Sequence, residues 1–258
     1  SPTFQIISFF VSSLAVNPAY LASRASTYKN RGKSKLIKSI LKYYFEDVSF
    51  TRTSHISINK FMQSKLFCKF SSTGETRYGL LKFYGEDLIA GRLGKTDFEM
   101  CEMQVAHRDS EESQRAEKGL QPRKLSDLNK VIFRGIFMIA DFNKILTADV
   151  HVVPDNAERL LGTQGRSIQK KSYYKGCEIV ELENIDFERQ FKVYSTDQVQ
   201  ARYVLTPMIM ERILKLQSNF KKRISLSFTG SSIYVAIPSH NDYFELPLLT
   251  TLLDTTVV

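Results

Sequence analysis

Asp149 and His151 stand two residues apart in the run Ile145-Leu-Thr-Ala-Asp-Val-His-Val-Val153, so a strand there puts both on one face. A carboxylate beside an imidazole has the makings of an acid–base pair or half a metal site, and equally of two solvated surface residues. A second polar group is Asp197-Gln198 with Arg202-Tyr203, near Glu181 and Glu183. A buried Asp197–Arg202 pair fixing a strand–helix junction would explain it, as would a ligand site. Ser239-His240-Asn241-Asp242 holds the residue types of a hydrolase triad in one contiguous loop, whereas a triad is assembled from separate elements. Gly162-Thr-Gln-Gly-Arg166 with Lys170 and Lys171 could turn amides toward a phosphate but has no Walker or GxGxxG pattern. The remaining histidines, His55, His107 and His240, are scattered. Cys68, Cys101 and Cys177 form no CxxC, so free buried thiols are expected, with no metal and no cofactor. No residue earns a catalytic role on these grounds.

Charge is far more informative than motif. Residues 1–45 carry no acidic side chain and seven basic ones, Arg24, Lys29, Arg31, Lys33, Lys35, Lys38 and Lys42. That leaves 29 Lys and Arg against 27 Asp and Glu elsewhere, so +7 of the formal +9 sits in this segment. An apolar run, Phe4–Val16, comes directly before it. Apolar first and polybasic second is the order of a chain leaving a membrane on its cytoplasmic side. Phe4–Val16 is shorter than the ~20 residues a span needs, so it reads as the end of an anchor or as a docked helix. The asymmetry also weakens the nucleic-acid reading that a pI near 9.3 invites.

The elements that must position these residues follow from periodicity. Leu36, Ile37, Ile40, Leu41 and Tyr44 recur at helical spacing between Tyr28 and Phe45, which predicts a basic amphipathic helix. Ser57 caps a short helix with Ile58, Phe61, Met62 and Leu66 on one stripe. Strands are expected over 77–84, 87–90 and 98–105, with turns at Gly85 and Gly91–Gly94 and a bulge after Met100. Val131–Ala140 is apolar on both faces, as a central strand is, and Asp141–Lys144 reads as the turn of a hairpin into 145–153. A helix from Pro154 to Gly162, a strand over 177–182 and an extended segment over 187–194 come next. Asp197 and Thr206-Pro207 open two more helices, and 223–228 with 233–237 form a closing hairpin. Residues 108–127 are polar and charged, an exposed loop.

The string Phe187-Glu-Arg-Gln-Phe-Lys-Val-Tyr-Ser-Thr-Asp-Gln-Val-Gln-Ala-Arg-Tyr-Val-Leu-Thr-Pro-Met-Ile-Met-Glu-Arg-Ile-Leu214 resembles the core signature of a bacterial family known as domain of unknown function 3137. Gly85-Glu-Asp-Leu-Ile-Ala-Gly91, Phe133–Lys144, Glu181–Phe187 and Ser232–Ile237 fit the same pattern, as does Tyr28-Lys29 with the helix after it. The resemblance implies a cytoplasmic domain behind one or two hydrophobic segments, and no catalytic residue.

The chain therefore reads as α+β: antiparallel or mixed β-sheet hairpins with several packed helices and a basic amphipathic N-terminal helix. Residues 1–22 form the apolar segment and 23–258 a single domain, whose 43% hydrophobic content suffices for a core. The expected role is a binding or scaffolding domain tethered on the cytoplasmic side of a bacterial inner membrane. Its partners would be the anionic surface, met by Lys29, Arg31, Lys33, Lys35, Lys38 and Lys42, and a protein, with homo-oligomers possible and no specific nucleic acid. The alternative is an enzyme with a pocket near Asp197 and Arg202 or near Asp149 and His151, and a third and weaker reading is a nucleic-acid-binding module through the basic segment 24–42.

Overall fold

A computed structural model of the protein describes residues 31–45, 47–67, 75–76, 79–107, 131–155, 174 and 176–240. In chain order the elements are α1 (Arg31–Tyr44), β1 (Asp47–Thr51), α2 (Ile58–Gln63), β2 (Glu75–Thr76), β3 (Gly79–Leu93), β4 (Thr96–His107) and β5 (Val131–Asp141). They continue as β6 (Val150–Pro154), β7 (Glu178–Val180), α3 (Ile185–Glu188), β8 (Phe191–Ser195), α4 (Gln198–Val204), α5 (Pro207–Phe220), β9 (Ser225–Thr229) and β10 (Ser232–Pro238). The expected apolar segment at 1–22, the polar loop at 108–127 and the helix at 154–162 lie wholly or largely outside the described residues.

The strands make one sheet in the order β1-β3-β4-β5-β10-β9-β6-β8-β7, with β2 paired to β3 off that path. Every neighbouring pair is antiparallel, so of the antiparallel and mixed arrangements the first is observed. The fold is α+β. Both sheet faces are covered, which is why the central strands are apolar on both.

One face packs under helices. Ile136 and Met138 of β5, Leu226 and Phe228 of β9, and Val150 and Val152 of β6 meet Ala201 and Val204 of α4 and Met210, Ile213 and Leu216 of α5. Local chemistry starts both helices: the Asp197 carboxylate accepts from the Val199 and Gln200 amides, and Thr206 caps α5 ahead of Pro207. Leu41 of α1 and Phe45 dock on the same face, the Phe45 ring 5.3 Å from Phe98.

The other face lies under the strap 54–67. Phe61 of α2 sits among Phe67, Phe83, Phe133 and Phe137, with ring centroids 4.9–6.3 Å apart. Burying such a ring contributes about 2–3 kcal/mol, and each aromatic pair up to about 1 more. Polar ties hold the strap in register: Ser227 Oγ donates to the Ser64 carbonyl, Lys60 pairs with Glu99, and Lys65 Nζ lies 2.6 Å from Asp149 Oδ2.

Four expectations need correction. The segments 77–84 and 87–90 join in one long β3, with the turn at Gly94-Lys95. The bulge lies on β3 and not after Met100: Glu86 pairs with Glu102 and Ile89 with Met100, so Asp87 and Leu88 together oppose Cys101. Strand β4 keeps a regular phase because Met100 and Cys101 are buried on opposite faces. No hairpin joins β5 to β6, since β10 and β9 stand between them. Phe142 and Leu146 turn inward and their amides bond Ser231 and Gly230, which carries the chain across the end of that hairpin. Finally, Phe187 lies in the helical turn α3, capped by Asn184, and extended backbone begins only at Phe191.

Candidate functional site

Helix α1 presents a lysine stripe. Lys35, Lys38 and Lys42 are exposed, and their 3–4 spacing lines them up along one side of the helix, while Ile37 and Leu41 pack on the core. None has an acidic partner among the described residues. Tyr43, in the last turn, is 82% exposed. Arg31 and Lys33 lie in α1 with side chains outside the described residues, and Lys29 precedes them. Among the described residues no helix is long and apolar enough to cross a membrane.

Asp149 and His151 do share a side of the sheet, but their chemistry is spent on packing. His151 is 1% exposed and stacks on Tyr174 with centroids 4.0 Å apart and planes at 9°. Burial pushes its pKa down to about 4, so the ring is neutral near pH 7. Asp149 is held by Lys65. Tyr174 donates to the Leu66 carbonyl, so strap, sheet and Tyr174 meet at this stack. Nothing in the sequence around Tyr174, which follows Lys170 and Lys171, marks it as a residue of the interior.

Asp197 and Arg202 form no buried pair. The Asp197 carboxylate is an exposed N-cap of α4, and the Arg202 guanidinium, also exposed, reaches Gln198 and the Glu181 carbonyl. A helix cap and a guanidinium bridging α4 to the segment after β7 explain both residues without an ion pair. In the loop Ser239-His240-Asn241-Asp242, Ser239 is buried and its amide bonds the Arg134 carbonyl. His240 is exposed, and 241–242 and the 162–171 loop lie outside the described residues. Cys101 and Cys177 are free and buried, with burial raising the Cys101 thiol to about 12.

Sequence reasoning missed a cleft. Tyr84, Glu86, Glu102, Gln104, Arg134 and Ser239 line an open hollow of about 550 Å³, and His55 also borders it. Register puts Tyr84 opposite Gln104 opposite Arg134, and Glu86 opposite Glu102. The oxygens of Glu86, Asp87 and Glu102 lie within 4.8 Å of one another and are the donor type a hard cation takes. Two backbone devices shape it. Asp87 sits at φ 58 with its amide on the Arg52 carbonyl, and Gly135 sits at φ 145, where a Cβ would stand 2.1 Å from the Ile237 carbonyl. Gly85-Glu-Asp and Phe133-Arg-Gly, two of the strings behind the family resemblance, meet here. That was the available signal.

Residues 131–258, from β5 to the C-terminus, match the model of the family described as Protein of unknown function (DUF3137), the family the sequence resembles. No curated protein matches the chain. Among solved structures it is similar to the crystal structure of the mycobacterial trehalose monomycolate transport factor A, TtfA, at 9% identity and a TM-score of 0.40, covering 83% of this chain and 85% of that one. Nothing about the activity of this chain follows from a likeness at that level.

Proposed function

We propose that this protein is a binding domain held against an anionic membrane surface, on the cytoplasmic side of a bacterial inner membrane, where it engages a protein partner. The observation that carries the reading is the division of labour on α1. Its apolar stripe is occupied by the sheet, so it is not available for burial in lipid, while Lys35, Lys38 and Lys42 face solvent without acidic partners among the described residues. Such a helix attracts phosphate headgroups electrostatically. The apolar run at 4–16 ahead of it supports the same polarity.

Co-sedimentation of the full chain with vesicles tests the reading. Binding is expected to phosphatidylglycerol-containing vesicles, and to weaken as salt rises. Replacing Lys35, Lys38 and Lys42 with Gln should reduce affinity by up to about a hundredfold, since each contributes about 1 kcal/mol at most. Equal binding to neutral vesicles, unmoved by the three substitutions, would overturn it.

A further inference from the structure

The three most exposed large apolar side chains among the described residues are Ile145, Tyr43 and Val199, at 87, 82 and 77%. They belong to a loop, the end of α1 and the start of α4, far apart in sequence. The sheet brings them to one end. Asp47 pairs with Arg92 beside the Gly94-Lys95 turn, which puts the C-terminus of α1 there. Phe98 pairs with Ala140, Ala140 with Ile233, Ile233 with Phe228, Phe228 with Val150 and Val150 with Ser195, so the 142–149 loop and the start of α4 lie along the same edge. Gln200 ties α4 to the loop by accepting from the Thr147 amide and hydroxyl, and the Lys144 ammonium lies 4.4 Å from the centre of the Tyr203 ring, itself 56% exposed.

Charge at this end is unevenly committed. In number the cations Lys42, Arg92, Lys95 and Lys144 are matched by Asp47, Asp97, Asp141 and Asp197, but Asp97 is bound by Arg92, Asp141 accepts from the Asn143 amide and Asp197 caps α4. Lys42, Lys95 and Lys144 have no acidic partner among the described residues. Isolated apolar and tyrosine tips with uncommitted lysines among them, spread across strands spaced ~4.8 Å, suit a flat fluid layer of anionic headgroups better than the contiguous core of a protein interface.

We infer that this end of the sheet, with Ile145 at its tip, is the face that rests on the anionic bilayer and enters its headgroup layer. The inference rests on the membrane reading above and adds orientation to it: the cleft at Glu86 and Arg134 then points away from the lipid. Strand β4 separates Gln104 from the turn at its start by on the order of 25 Å.

The chain contains no Trp, so one introduced residue is a clean reporter. In the full chain with phosphatidylglycerol vesicles, Ile145→Trp is expected to shift its emission to the blue and be quenched by brominated acyl chains, while Tyr84→Trp in the cleft does neither. Ile145→Asp should weaken vesicle binding by about tenfold without altering stability, because the residue is already exposed. Lysine-dependent binding with an unshifted Trp at 145, or a shift at 84 instead, overturns the orientation and leaves the membrane reading standing. Absence of lysine-dependent binding overturns both.

Discussion

The two ends of the sheet handle backbone and charge in opposite ways. At the end with the Gly94-Lys95 turn and the 142–149 loop, ordinary turn and cap bonds hold the chain: Asp197 caps α4, Asp141 accepts from the Asn143 amide, and the Phe142, Leu146 and Thr147 amides bond across to Ser231, Gly230 and Gln200, while Ile145, Tyr43 and Val199 stay exposed. At the cleft end, non-local backbone contacts hold residues in conformations that local chemistry disfavours. Asp87 is fully buried at positive φ, Gly135 sits against β10, and Glu86 faces Glu102 across the strands, a like-charge pairing that is unfavourable by itself. The first pattern suits a surface that meets something soft and flat, and the second a hollow held to a set shape.

The strongest way to break this contrast is at Gly135. Gly135→Ala is expected to destabilise the domain by at least about 3 kcal/mol, because the methyl group must displace the Ile237 carbonyl and the φ is one that side chains disfavour. Urea denaturation reads this directly, and a loss under about 1 kcal/mol would mean the cleft floor yields easily. Gly94→Ala, at φ 60 with open space around it, should cost only about 1 kcal/mol and is the matched control at the other end.

His151 offers a pH test between the two ends. Its pKa is depressed from 6.5 to about 4 by burial, so between those values the unfolded chain binds a proton that the folded one refuses. Stability therefore falls as pH drops from about 6.5 toward 4, by about 2 kcal/mol between pH 7 and 5 from this group alone. His151→Phe keeps a ring on Tyr174 and should remove that part of the slope in denaturation curves at the two pH values. An unchanged slope would argue against a buried neutral imidazole.

The smallest effects belong to Asp197 and Arg202. Asp197→Ala should lose about 1 kcal/mol as a missing cap, and Arg202→Met less than about 1, with near-zero coupling in the double mutant. Coupling of several kcal/mol in thermal denaturation would restore the buried pair that the exposed positions contradict.

What the sequence alone determined was whatever is decided within a few residues. Ser57, Asp197 and Thr206-Pro207 marked helix starts because a cap bonds amides two or three positions on. The closing hairpin was legible through its alternation and the Gly230 turn, β5 as a central strand through its two apolar faces, and α1 through its stripe. Only the tertiary structure decided that β10 and β9 separate β5 from β6, because strand order depends on pairings across long stretches of chain that no local pattern records. It buried His151 under Tyr174, and it gathered Glu86, Glu102 and Arg134 from three strands into one hollow. It also brought Tyr43, Ile145 and Val199 to one end, since periodicity says which way a side chain faces along its own element and nothing about which elements become neighbours.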